Sequence, residues 1–267
     1  MEWVRKVAAA LLSLVLMFAF VQIVGGYLIG QLSQNTGQVL EPQTEEKVVK
    51  QMVLQLEPME YYTVQVGSYQ EASAGQARIN ALAQMGYRVC VSQGPPFALW
   101  LGCMGKEPQL SDLPEAVRNS SSDIFVQKKI LNETALRFSA ADSQVMEQAA
   151  ALLSSYDVVL KHSLQMFQDY RYEACSEENW TNMIEQIAEE LTMIQETAGA
   201  LLNDEASEPV ASGILNLLAV TEEYGESLQL MQEKKSDQVV LLAQSCLLEL
   251  IEQYHGFMTE NSDKINL

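Results

Sequence analysis

Residues 61–69 read Tyr-Tyr-Thr-Val-Gln-Val-Gly-Ser-Tyr, and this stretch is the strongest indication of the fold of residues 61–130. Apolar and polar positions alternate along it with the period of two that is typical of a half-buried strand, and a Gly-Ser pair marks its end. Residues 72–85 then have apolar side chains at helical spacing, and Gly86 follows them as a helix stop. The sequence therefore predicts a strand followed directly by a helix.

Three further elements extend this beginning. Residues 87–92 and 97–104 are predicted to be strands, with the turn-forming Gly94-Pro95-Pro96 between them. A short helical segment at 110–118 and a strand at 123–130 complete the pattern. The predicted fold class is α+β, with the order βαββαβ and a four-stranded antiparallel sheet.

This order, and the residues of two strands, resemble the SPOR family of small peptidoglycan-binding modules in bacterial envelope and division proteins. The family's first strand is similar to residues 62–69, Tyr-Thr-Val-Gln-Val-Gly-Ser-Tyr, and its third strand to 97–104, where Cys103 replaces a proline. Residues 106–122 depart from the family's Ala-rich second helix, because they include two prolines and three consecutive serines. The resemblance covers residues 61–130 and implies a ferredoxin-like or RNP-like fold.

The same resemblance implies a ligand, namely peptidoglycan glycan strands without stem peptides, contacted by Gln65 and Ser68. Alternation predicts that Val64, Leu99 and similar residues face the helices, and that Gln65, Arg88, Cys90 and Trp100 lie on an open sheet face. Amides and guanidinium groups can bond sugar hydroxyls, and a flat aromatic ring can stack on a sugar. The predicted glycan-binding residues are Gln65, Ser68, Arg88 and Trp100.

Two of these residues have alternative interpretations. Ser68 stands near the start of the first predicted helix, where a serine often caps the helix instead of touching a ligand. Trp100 has an alternative as an aromatic residue that a loop or the C-terminal part of the chain covers.

Four cysteines are present, and the sequence predicts no bridge between them. Pairing Val91 with Leu99 across the turn puts Cys90 opposite Trp100 on the open face, and puts Cys103 on the helix-covered face. A disulfide needs side chains that converge, so these two are predicted to be free. The other two, at positions 175 and 246, have the character of small apolar residues.

The N-terminal part predicts a membrane anchor and a tether. Residues 7–29 are almost entirely apolar and would span about 34 Å as a helix, enough for a bilayer core of about 30 Å. Arg5 and Lys6 precede this run. Residues 1–30 are therefore predicted to form a cytoplasmic N-terminus and the membrane helix, and the rest of the chain is predicted to be extracytoplasmic. Residues 31–60 are predicted to be a tether with a short amphipathic helix over Glu45–Leu56, which either packs on a neighbouring domain or self-associates.

Residues 131–267 contain no strand signal and four runs of helical period, which predict an all-α bundle of three to four helices. Ser176 and Ser236 stand at two of the breaks between these runs as predicted helix caps. Six basic against 24 acidic residues give this part a net charge of −18, whereas residues 61–130 have six basic against five acidic. Such acidity predicts a solvated surface or a basic partner.

The composition disfavours several functions. A net charge of −19 argues against nucleic acid as a partner. His162 and His255 stand apart, no metal-ligand spacing occurs, and no nucleophile elbow or phosphate loop is present, so no enzyme, metal or cofactor is predicted.

Two functions remain as expectations. In the first, a membrane-anchored protein binds glycan strands through the sheet and localises the bundle during division, sporulation or wall remodelling. In the second, the SPOR-like domain is a spacer in an envelope scaffold, and the acidic bundle binds a partner protein. They differ over whether the face with Gln65 and Trp100 is accessible or covered.

Overall fold

The computed structural model describes residues 50–92, 94–120, 124–131, 134–140, 143–171, 176–203, 208–234, 236–260 and 265–266. Residues 48–267 form one compact unit. The predicted membrane helix and residues 31–49 of the predicted tether lie outside the described residues. In the part that is described, no helix combines the length and apolarity needed to cross a bilayer.

The chain is α+β. Its strands are β1 (Lys50–Leu56), β2 (Met59–Tyr69), β3 (Cys90–Val91), β4 (Phe97–Met104), β5 (Phe125–Leu131), β6 (Thr134–Ala140) and β7 (Ile265–Asn266). Its helices are α1 (Ala72–Gln84), α2 (Glu115–Ser120), α3 (Ser143–Arg171), α4 (Glu177–Asn203), α5 (Glu208–Glu233) and α6 (Asp237–Glu260), and a 3-10 turn at Leu110–Asp112 precedes α2.

The predicted four-stranded antiparallel sheet is confirmed. Its strand order is β3-β4-β2-β5, and the elements β2 to β5 follow the predicted βαββαβ order. Val91 pairs with Leu99, as the turn between them predicts. Val64, Val66, Leu99 and Leu101 pack with Leu82 of α1 and Val117 of α2, so one sheet face forms a small core under these two helices.

The predicted tether helix is wrong for the residues that the structure describes. Residues 50–56 form β1, which pairs antiparallel with β6 from Lys50–Ala140 to Leu56–Thr134. The apolar residues of this stretch fit either period, and short apolar runs are ambiguous between helix and strand. Cross-strand pairing decides the outcome, because Met52 and Leu54 pack on the core from the strand.

The prediction that no strand follows residue 131 is also wrong. β6 begins three residues after β5, and β7 pairs parallel with β6 at Phe138–Ile265. The register of β2 with β5, which ends at Met59–Leu131, continues without a shift into the register of β1 with β6. Two consecutive strand pairs therefore form one long ribbon that joins the sheet to the segment before α3.

Four long helices, α3 to α6, form the predicted bundle. Each packs on its neighbour along the chain, and α3 also contacts α6. The predicted caps are present, because Ser176 Oγ accepts a hydrogen bond from Asn179 N at 3.3 Å and Ser236 Oγ accepts one from Val239 N at 3.4 Å. Apolar residues at helical spacing in the four predicted runs are buried, including Tyr156, Ile194, Tyr224 and Tyr254.

Helix α6 lies between the bundle and the sheet. Most of its side chains are buried, and they belong to two cores, because Leu241 packs in the core under α1 while Leu248 and Ile251 pack in the bundle core. The helix contacts β4 extensively and also touches β3. It is therefore the main element that joins the two parts, and α3 also contacts β4.

Candidate functional site

The predicted open face of the sheet is covered over β3 and β4. Trp100 points to this face and is only 6% exposed, so the prediction that it is solvent-accessible is wrong. The structure agrees with the alternative interpretation, in which the C-terminal part of the chain covers Trp100. We call this region, where α6 packs on β3 and β4, the covered half.

Close approach of α6 depends on Gly102 in β4. A Cβ atom there would lie 2.9 Å from the Cβ atom of Gln244, closer than such atoms normally come. The hydroxyl oxygen of Ser245 lies 2.5 Å from the Leu101 carbonyl oxygen and 3.1 Å from that of Arg88. The helix therefore rests directly on the backbone of β4 and of the segment before β3.

Arg88 is bound by the bundle. Its guanidinium donates to Glu223 Oε2 of α5 at 2.7 Å and forms a second ion pair with Glu249 Oε2 of α6. Burial acts to lower the pKa of Arg88, but the hydrogen bond to Glu223 and the charge of Glu249 raise it overall. Arg88 therefore holds helices α5 and α6 to the sheet instead of facing a free ligand surface.

Cys103 lies on the face of the sheet that α6 covers. The prediction that it lies on the opposite face, under α1, is wrong. The pairs of β2 with β4 shift register between Thr63–Cys103 and Gln65–Trp100, where β4 has one extra residue. Such a bulge reverses the alternation of side chains beyond it. The Cys103 thiol lies 3.6 Å from the carbonyl oxygen of Gln244, and Cys90, Cys103 and Cys246 all have free thiols.

Cys90 offers a direct test of how tightly α6 covers the sheet. Its thiol lies 3.2 Å from the Ser245 carbonyl oxygen, and burial raises its pKa from 9.0 to about 12. Because only the thiolate is reactive and its fraction falls tenfold per pKa unit, alkylation of Cys90 at pH 8 should be about 1000-fold slower in the folded than in the unfolded chain.

Pulsed alkylation with peptide mass spectrometry measures this difference. Raising the pH above 9 should accelerate labelling of Cys90 in the folded chain, because the fraction of its thiol that is deprotonated continues to rise. Equal rates for Cys90 before and after denaturation would contradict the close packing of α6.

A cavity of about 250 Å³ opens beside β3 at the edge of the covered half. Arg88, Cys90, Trp100, Glu249 and Glu252 contribute to its walls. Glu252 accepts a hydrogen bond from the Tyr61 hydroxyl at 3.2 Å, and burial together with this carboxylate raises the pKa of Tyr61. The walls contain the carboxylates of Glu249 and Glu252 but only one guanidinium, that of Arg88, which is already ion-paired. The cavity is therefore unsuitable for an anionic ligand.

The same face opens to solvent at the end that holds Gln65 and Phe125, whereas Tyr61 and Thr63 of β2 are buried. Gln65 of β2 pairs with Phe125 of β5, and directly paired residues share a face of the sheet. Phe125 is 59% exposed, Gln127 is exposed and Gln65 is half-buried. The Lys129 ammonium lies 4.7 Å from the centroid of the Trp100 ring and marks the border between the two halves. We call the part of the face formed by Gln65, Ser68, Phe125 and Gln127 the uncovered half.

The structure thus separates the four predicted site residues into two pairs. Gln65 and the exposed Ser68 lie on the uncovered half, whereas Arg88 and Trp100 lie on the covered half. The alternative role of Ser68 as a helix cap is wrong, because Glu71 is the N-cap residue of α1.

Sequence reasoning missed Phe125 as a candidate site residue. It stands inside a predicted strand, but its neighbour across the sheet depends on the register of β5 against β2. Once that register is known, alternation alone puts Phe125 beside Gln65.

Comparison of the chain with protein-family models, with curated proteins and with solved structures finds no match.

Proposed function

We propose that the chain is a membrane-anchored envelope protein that binds peptidoglycan glycan strands on the uncovered half of its sheet. The observation that carries the proposal is the exposed ring of Phe125 beside Gln65. The SPOR-like sequence of residues 61–130 supports the ligand class, and the apolar run at 7–29 supports the anchor.

The side chains of the uncovered half have the chemistry that a sugar needs. The flat ring of Phe125 can stack on the apolar face of a pyranose, while the amides of Gln65 and Gln127 can bond hydroxyl and acetamido groups. Ser68 adds a hydroxyl on the same face. This set keeps two of the residues predicted from the sequence and uses Phe125 where Trp100 was expected.

Charge supports glycan strands without stem peptides. Removal of the peptide leaves a carboxylate on the lactyl group of every second sugar, and Lys129 lies at the border of the uncovered half. The cavity of the covered half, in contrast, has an excess of carboxylates and would repel that group. The ligand is therefore expected to lie along β5 and across Gln65 and Ser68 near the end of β2, and to avoid β3.

Co-sedimentation of the full chain, kept soluble in mild detergent, with purified cell-wall sacculi tests the proposal. Wild-type protein should sediment more with amidase-treated than with untreated sacculi. The substitutions Phe125→Ala and Gln65→Ala should each weaken binding about tenfold, since each removes a central contact of about 1.4 kcal/mol.

Ile130→Ala provides a matched control for this experiment. Ile130 is also an exposed apolar residue of β5, 51% accessible, but alternation puts it on the opposite face from Phe125. Its replacement should leave sedimentation unchanged. Binding that survives Phe125→Ala would remove the uncovered half as the site.

A second candidate function is an envelope scaffold, in which the acidic bundle binds a partner protein and the SPOR-like part is a spacer. The specific observation in its favour is that α6 covers half of the sheet and uses Arg88 and Trp100 for packing. Folded wild-type protein that stays in the supernatant with both sacculus preparations would favour the scaffold over the glycan proposal.

A further inference from the structure

We propose that β1 is a self-association edge, at which two copies of this chain pair antiparallel about Val53. In the part of the chain that the structure describes, β1 is an edge strand of the three-stranded sheet β1-β6-β7. It pairs with β6 on one side only. A bordering strand presents a row of backbone donors and acceptors to a further strand. This inference is independent of the proposed glycan site.

The chemistry of β1 differs from that of the other long edge strand, β5. Edge strands that must not pair usually contain charged residues, and β5 has Lys128 and Lys129 in its middle. In β1 the residues after Lys50 are all uncharged, and no proline interrupts them. Val53, in the centre of the strand, is 60% exposed. Between residues 51 and 56, β1 thus has neither a charged residue nor a proline to oppose the addition of a strand.

The sequence of β1 is complementary to itself, which selects a second copy as the occupant. Residues 51–55 read Gln-Met-Val-Leu-Gln, so reversing the strand puts glutamine opposite glutamine and methionine opposite leucine. An antiparallel pair centred on Val53 puts this residue opposite its own copy. Such a pair has a two-fold axis, as most homodimers have.

Charge also favours this edge as the meeting point of two copies. Each chain has a net charge of −19, nearly all of it on residues 131–267, so the acidic bundle of one copy repels that of another. The strand pair β1 and β6 contains no acidic residue. Met52 and Leu54 are half-buried against the core of their own copy, and the opposing strand would complete their burial. A dimer through β1 therefore avoids the repulsion and adds apolar contact.

Cysteine cross-linking of the full chain in detergent micelles tests the arrangement. In the variant Val53→Cys, two Cα atoms on the axis would be about 4.5–5.5 Å apart, within the range of a disulfide. We expect most of the protein to form a dimer on mild oxidation, with peptide mapping that locates the bridge between the two residues at position 53.

Gln55→Cys is the matched control, because it is exposed on the same face but lies two residues from the axis. Its two copies would be about 13 Å apart, so it should give at least tenfold less dimer alone. Co-expression of Gln55→Cys with Gln51→Cys should restore the bridge, because these positions are opposite each other in the antiparallel pair.

Three results would overturn the proposal. A monomeric Val53→Cys variant would show that another segment or another protein occupies the edge. Equal bridging of Gln55→Cys alone would indicate parallel pairing or random collision. The third result comes from Val53→Lys, which puts two ammonium groups on the axis at a position where the fold tolerates exposure. This substitution should convert the dimer to a monomer in sedimentation, and a dimer unaffected by it would exclude β1.

Discussion

Replacing Gly105 with alanine is expected to lower the free energy of unfolding by about 2–3 kcal/mol. Gly105 directly follows β4, and a Cβ atom there would lie 2.7 Å from the carbonyl oxygen of Leu164 and 3.0 Å from its carbonyl carbon. Because these atoms belong to the backbone of α3, no side-chain rotation can relieve the contact. The strand end or the helix must shift, and the packing around both is then lost. Urea denaturation followed by circular dichroism measures the change.

Gly256→Ala is the control for this substitution. Gly256 lies inside α6, and a Cβ atom there meets nothing within 4 Å. Alanine has a higher helix propensity than glycine, so this change should stabilise the protein by up to about 1 kcal/mol. Opposite signs for two Gly→Ala substitutions would identify contact with α3 as the cause at Gly105. Unchanged stability of the Gly105 variant would mean that α3 does not rest on the end of β4.

Elements that depend on local periodicity were predictable from the sequence. The strand β4 has the predicted bounds, and α1 ends one residue before its predicted end at Met85. In both cases the pattern of apolar residues, bounded by glycine or proline, is enough to define the element. The buried stripes of α3 to α6 were predictable for the same reason.

The cover of the sheet by α6 could not be specified in advance, although the sequence contains a signal for it. Residues 239–251 are apolar on nearly all sides of the helix, apart from Gln244, Ser245 and Glu249. A helix that is apolar all round is buried on all sides, so it needs a second neighbour besides the bundle. The identity of that neighbour depends on contacts between residues about 140 apart, such as Ser245 with Leu101, and no local pattern specifies them.

The ribbon of β1 with β6 has the same origin. Each strand is short and reads ambiguously alone, and only their mutual pairing selects the extended form. The sequence therefore predicted the sheet face of the candidate site and two of its residues, Gln65 and Ser68. The extent of the exposed surface could not be predicted, because α6 bounds it on one side and the register of β5 decides which residues lie on the other.

Replacing Trp100 with alanine is expected to cost about 3–5 kcal/mol of stability, the usual range for a buried tryptophan. The ring is 94% removed from solvent, packs in the core shared with the bundle, and has the Lys129 ammonium 4.7 Å from its centroid. Its removal would leave a cavity between β4 and α6 that neither the strand nor the helix can fill. The midpoint of urea denaturation should therefore fall steeply, and labelling of Cys90 should become faster.

Phe125→Ala makes this comparison decisive, because the two aromatic residues occupy the two halves of one sheet face. Phe125 is 59% exposed, so its removal should change stability by less than about 0.5 kcal/mol. Loss of stability at Trp100 together with loss of sacculus binding at Phe125 would separate packing from recognition on that face. A Trp100→Ala variant as stable as the wild type would contradict the cover of the sheet by α6.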